Sequence, residues 1–119
     1  MITAVCVDDS RVELDFIARI LAEMGVEVLA LEQDGARGMQ EIRSRRPTIA
    51  LLDIILPNMT GLDILAAIKS ENLRTVPIMC TSMSMLKKQA MAGGASLFIT
   101  KPYDEYITAM ELRPLLDAI

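Results

Sequence analysis

Hydrophobic positions along the chain follow two patterns that take turns. Continuous apolar runs of strand length occupy residues 2–7, 26–31, 49–52, 76–80 and 97–99. Most do not alternate with polar residues, as expected for strands buried on both faces of a parallel sheet. Between the runs the spacing is helical: Phe16, Ile17, Ile20, Leu21 and Met24; then Leu62, Ile64, Leu65 and Ile68; then Ile107, Met110, Leu115 and Leu116. Helix starts are marked by Ser10-Arg11-Val12-Glu13, which fits a capping box, and by Thr60-Gly61-Leu62-Asp63, which resembles one. Gly25, Gly93 and Gly94 stand where helices should stop. The pattern predicts five strands and five helices in strict alternation: an α/β fold with a doubly wound parallel sheet and right-handed crossovers. No linker, repeat or low-complexity stretch interrupts it. The chain reads as one domain over residues 1–119, with no output domain.

Composition narrows the chemistry. Of 119 residues, 52% are hydrophobic but only 3% aromatic, so the predicted core is aliphatic and rich in the nine methionines. No apolar run approaches the ~20 residues that span a bilayer. The N-terminus lacks a basic segment ahead of an apolar one, so a secretory signal is not expected and the protein reads as cytoplasmic, without a membrane partner. The net charge of −4 argues against direct nucleic-acid binding. The one basic cluster, Arg43, Arg45 and Arg46, suits the last turn of a helix. Cys6 and Cys80 lie inside apolar runs and read as small core residues. Histidine is absent, which excludes Ser/His/Asp and Cys/His triads and every zinc site that needs imidazole. Carboxylates, hydroxyls and lysine must carry whatever chemistry there is.

In a doubly wound sheet, ligands bind outside the carboxyl ends of the strands, near the switch in strand order. Asp8 and Asp9 follow the first apolar run, Asp53 the third, Thr81 and Ser82 the fourth, and Lys101 and Pro102 the fifth. Each has a plain explanation alone: a turn, a cap, a loop residue. Together they put mutually complementary groups on one edge. Crowded carboxylates either take up protons or recruit a cation. Oxygen-only donors select Mg²⁺ or Mn²⁺. Such a metal keeps open positions for phosphate oxygens, Lys101 neutralises another, and a hydroxyl from Thr81 or Ser82 donates to a third. The edge reads as a holder for a phosphoryl group, with Asp53 as a carboxylate nucleophile.

The residues Val7-Asp8-Asp9-Ser10, the stretch from Leu51 through Asp53 and Pro57 to Gly61, Gly94-Ala95, and Thr100-Lys101-Pro102-Tyr103 resemble the receiver domain of bacterial two-component response regulators, of the stand-alone chemotaxis-regulator kind. The resemblance covers essentially the whole chain and implies a flavodoxin-like sheet of strand order 2-1-3-4-5. It implies that Asp53 takes a phosphoryl group from a sensor histidine kinase or phosphotransfer protein. It implies that Asp9, Asp53 and the backbone carbonyl of Ile55 bind Mg²⁺, with Asp8 acting mostly through water. Lys101 would pair with the phosphoryl group, and the Lys101–Pro102 bond would be cis. The chain would be a signalling phosphoacceptor rather than an enzyme, catalysing only its own phosphoryl transfer and dephosphorylation. Its output would pass to a protein target, as a monomer or a phosphorylation-dependent dimer.

Four positions depart from the pattern. Strand length favours Ser82 as the switch hydroxyl, whereas the Thr-small dipeptide and the distance to Gly94 favour Thr81. The segment from there to Lys101 is two or three residues short, so the fourth helix is expected to be short or irregular. Phe98 takes the place of the switch aromatic that would rotate as the hydroxyl moves. The Met83, Met85 and Met91 cluster beside it reads either as gap-filling in an aromatic-poor core or as a docking face that Phe98, Tyr103 and Tyr106 would share. Ile55 is apolar where many relatives are polar, and would shield an acyl phosphate from water. Ile55→Asn is therefore expected to shorten the phosphorylated lifetime, and an unchanged lifetime would discard the idea. Two other readings compete. A phosphatase of the haloacid-dehalogenase kind would need a second Asp at Ile55, and a pseudo-receiver would keep the fold without being phosphorylated.

Overall fold

A computed structural model describes residues 1–119. In chain order the elements are β1 (Thr3–Val7), α1 (Arg11–Glu23), β2 (Glu27–Glu32), α2 (Gly35–Arg45), β3 (Ile49–Leu52), α3 (Gly61–Ser70), β4 (Val76–Thr81), α4 (Lys87–Ala92), β5 (Leu97–Thr100) and α5 (Glu105–Ala118). The strands form one parallel sheet in the order β2-β1-β3-β4-β5, as expected. The direction of winding reverses between β1 and β3, which leaves a crevice at their carboxyl ends.

The pleat sorts the sheet residues into two layers, because successive side chains point to opposite faces. Cys6, Leu51, Cys80 and Ile99 pack with Leu14, Ile17 and Leu21 of α1 and with Leu112 and Leu116 of α5. Val7, Leu52, Met79 and Phe98 pack on the other face with Met39 and Ile42 of α2, Ile64 and Leu65 of α3, and Ala90 of α4. Both faces of the central strands are thus dry, which is why their sequences run apolar without alternation.

The helices differ in how plainly the sequence announces them. In α3, Thr60 and Asp63 cap each other in both directions at 3.1 Å, a complete capping box. In α2 only Met39 and Ile42 contribute large buried side chains. Its Gly38 lies against β1, where a Cβ would come within 2.5 Å of a Val7 methyl, so α2 docks by close approach rather than by a broad apolar stripe. Arg43 and Arg45 do fall in its last turn. The fourth helix is short and irregular, as expected: a 3₁₀ turn at Ser84–Leu86 leads into six α-helical residues, and neither start has a side-chain cap. No helix is long and apolar enough to cross a membrane.

Candidate functional site

Each strand delivers its last side chains at the same edge, and backbone bonds fix them there. The Asp53 amide donates to the Val7 carbonyl at 2.9 Å, the Asp8 amide to Glu32 at 3.0 Å, and the Lys101 amide to Thr81 at 2.9 Å. Alternation then decides which way each points. Asp8 shares its parity with Cys6, Asp53 with Leu51, and Lys101 with Ile99, so all three incline toward the α1 and α5 layer. They meet. The Lys101 ammonium donates to Asp8 Oδ2 at 2.5 Å and to Asp53 Oδ2 at 2.9 Å. It also bonds the Glu13 carboxylate, which arrives from the first turn of α1. Asp53 Oδ1 accepts from the Ile54 amide at 2.6 Å.

The cluster is deep but not sealed. Side-chain exposure is 6% for Lys101, 6% for Asp8, 10% for Asp53 and 35% for Glu13. Burial pulls the Lys101 pKa down, but bonds to Asp8, Glu13 and Asp53 outweigh that and hold it above the ordinary lysine range. Burial pushes the Asp8 carboxyl up, against the lowering pull of Lys101 and the Ser10 amide. Three carboxylates share this single ammonium, so Lys101 has more partners than its one charge can offset. The charge left over on the carboxylates is that of one divalent cation. Oxygens of Asp8, Glu13 and Asp53 lie within 4.8 Å of one another, so this acidic group could hold a metal, and its all-oxygen donor set suits a hard one.

Other residues named from the sequence lie at the edge with different roles. Asp9 is exposed and stands outside the gathered carboxylates; its backbone carbonyl accepts from the Gln33 side chain at 3.0 Å. Ile55 lies two residues after Asp53 and is 56% exposed. Thr81 ends β4, buried, with its hydroxyl accepting from the Met83 amide at 3.3 Å. Its parity is that of Met79, on the α2–α4 layer. Ser82, one residue on, is exposed and has the parity of Cys80, the one that Asp8, Asp53 and Lys101 share. The Lys101–Pro102 peptide bond is cis.

Two expectations change. Phe98 and Tyr103 do not share a face. Phe98 is buried in the α2–α4 layer, 8% exposed, whereas Tyr103 stacks on Phe16 of α1 with centroids 6.1 Å apart. The exposed apolar residues nearby are Met85, Met91, Tyr106, Ile107 and Met110. The Ser10–Glu13 capping box is half made: Glu13 donates its amide to the Ser10 hydroxyl at 3.3 Å, but its carboxylate goes to Lys101. Glu13 is thus the site residue that spacing alone assigned to local capping. Cys6 and Cys80 are free and buried, and burial raises both thiols, Cys80 to about 12, so neither is a nucleophile.

Fold and edge together define a flavodoxin-like α/β protein with a carboxylate-and-lysine site at its switch point. The chain belongs to the response regulator receiver domain family, whose model matches residues 4–110. It is 31% identical over 115 residues to the chemotaxis protein CheY of Listeria monocytogenes, covering 93% of this chain and 97% of that one. It is 28% identical over 117 residues to the probable transcriptional regulatory protein TcrX of Mycobacterium tuberculosis, covering 97% of this chain but only 50% of TcrX. Among solved structures, the signal receiver domain of the putative response regulator NarL from Mycobacterium tuberculosis superposes with a TM-score of 0.87 at 28% identity, over 98% of this chain and 94% of that one. CheY in the CheX-CheY-BeF3-Mg complex from Borrelia burgdorferi shares the fold, with a TM-score of 0.90 at 24% identity, over 97% of this chain and 89% of that one.

Proposed function

We propose that this chain is a phosphoacceptor switch in which Asp53 takes a phosphoryl group from a phosphohistidine on a sensor kinase or phosphotransfer protein. The observation that carries the reading is the Asp53 carboxylate itself, fixed at one oxygen by the Ile54 amide at 2.6 Å and at the other by Lys101 at 2.9 Å. In the transfer, an Asp53 oxygen forms a bond to phosphorus as the P–N bond of the donor breaks. That electron pair returns to the imidazole nitrogen. These 119 residues contain no histidine, so the donor imidazole lies outside them.

Lys101 bonds an oxygen of the incoming phosphoryl group and offsets its charge. Among the hydroxyls, Ser82 is the better partner, because its parity matches Asp53 and Lys101 while Thr81 turns to the opposite layer. Asp9, Asp53 and the Ile55 carbonyl are the groups that would hold Mg²⁺ or Mn²⁺, with Asp8 acting mostly through water; the ion would supply charge neutralisation at the phosphoryl oxygens when bound. Phe98, buried in the α2–α4 layer, would rotate as the switch hydroxyl is drawn toward the phosphoryl group. The exposed Met85, Met91, Tyr106 and Met110 are the surface read by a protein target, or by a second copy on dimerisation. We place the chain in the cytoplasm as one receiver domain, with no direct nucleic-acid contact and with the self-catalysed dephosphorylation that the resemblance implies.

The test is intact mass after incubation with Mg²⁺ and acetyl phosphate. Wild type should gain one phosphoryl group, and should gain none in EDTA; Asp53→Asn should gain none at all. If wild type also stays unmodified, the chain is a binding module that keeps the fold without the reaction.

A further inference from the structure

We propose that Glu13 is a built-in competitor for Lys101, a positioning residue that occupies the ammonium until a phosphoryl group displaces it. The inference rests on the phosphoacceptor reading and names a residue that sets how readily that site fills. Its first ground is the diverted capping box. A Glu at the third helical position ordinarily returns to the cap amide, as Asp63 does to Thr60 at 3.1 Å. In α1 the Ser10 amide is already taken by Asp8 Oδ1 at 2.9 Å, so the Glu13 carboxylate is released from its local partner and reaches across to Lys101.

The second ground is donor capacity. A lysine ammonium has three N–H donors and no more. Asp8, Asp53 and Glu13 each accept from Lys101, so all three are spent. A phosphoryl oxygen can gain the lysine only if one carboxylate lets go. Asp8 and Asp53 are anchored at strand ends, with side chains 6% and 10% exposed. Glu13 is 35% exposed on a helix turn and has an extra side-chain torsion, so it can retreat into water at the least cost. Of the two carboxylates that take no part in the bond to phosphorus, Glu13 is therefore the one that yields. Its negative charge also opposes a dianionic phosphoryl group beside Asp53 until it swings out. The resting site is thereby biased toward the empty state, and weak or non-cognate phosphodonors are disfavoured.

The experiment measures affinity for beryllofluoride, a non-covalent phosphoryl mimic, at saturating Mg²⁺ by ¹⁹F NMR. Wild type, Glu13→Ala and Glu13→Gln are compared, each checked for a cooperative thermal transition. Losing a partly exposed ion pair and a like charge should tighten binding by about fivefold to tenfold in Glu13→Ala, with Glu13→Gln between it and wild type. If Glu13→Ala proves poorly folded, the Glu13→Gln comparison carries the test alone. Equal affinities, or weaker binding by the variants, would overturn the role of Glu13 and leave Asp53 as the acceptor untouched. Absence of beryllofluoride binding by wild type itself would instead remove the phosphoacceptor reading on which this one stands.

Discussion

Lys101→Met should destabilise the metal-free protein by about 3 kcal/mol near neutral pH and cut acetyl-phosphate labelling of Asp53 on the order of tenfold to a hundredfold. The side chain is buried and is the sole cation bonded to Asp8, Glu13 and Asp53. Methionine keeps the aliphatic stem and removes only the charge, leaving carboxylates with no counterion. The pH dependence follows from Asp8, whose pKa burial already raises. A raised folded-state pKa means the protonated form is favoured on folding, so stability is lost as pH rises through that value. Without the lysine the pKa rises further. The gap between wild type and variant should therefore widen from about pH 4 to about pH 8 and narrow again when Mg²⁺ is added. Thermal unfolding in EDTA and in Mg²⁺ across that range measures it. Parallel curves with a constant gap would mean that the ammonium does not neutralise these carboxylates.

The second large effect belongs to a backbone contact. Gly61→Ala would place a Cβ 2.0 Å from the Asp53 carbonyl oxygen, a distance no carbon tolerates. The opposing atom is main chain, so no side chain can swing aside. Moreover, the Gly61 amide bonds the Ile54 carbonyl at 2.9 Å, tying the start of α3 to the residue after Asp53. Relief requires the Asp53–Ile54 peptide to shift, and with it the amide that holds Asp53 Oδ1. A loss of roughly 3 kcal/mol in denaturant unfolding is expected. Residual folded protein should also label poorly, because the carboxylate is displaced from Lys101. Wild-type stability together with wild-type labelling would show that the loop between β3 and α3 adapts freely.

Much of this was legible in the sequence because the central strands are buried on both faces. The run from Ile49 to Leu52 reads as a core strand, and Asp53 follows it directly. α2 was harder to read. Its docking depends on Gly38 resting on Val7, and close approach by glycine leaves no hydrophobic periodicity. Parity bears on the choice between Thr81 and Ser82, and it depends on the end of β4; the strand runs one residue past its apolar stretch, to Thr81. The same alternation could have told Asp8 from Asp9, since Asp8 continues the Cys6 side of β1 while Asp9 turns to solvent. Glu13 was concealed by a good local explanation: four residues that spell a capping box give no sign that one has been recruited by a lysine 88 positions away. Phe98 and Tyr103 were assigned one face for a similar reason. They are close in sequence, but the chain leaves β5 between them and Tyr103 passes beneath α1.

The central claim is that Asp53, and no neighbouring carboxylate, carries the phosphoryl group. Borohydride reduces an aspartyl phosphate to homoserine, so treating the labelled protein and mapping its peptides locates the acceptor chemically. The account predicts homoserine at position 53 alone, in an amount that tracks the intact-mass gain and vanishes in EDTA. Reduction at Asp8, Asp9 or Glu13 with position 53 intact would contradict it, and would make Asp53 a ligand of a site whose nucleophile is another residue.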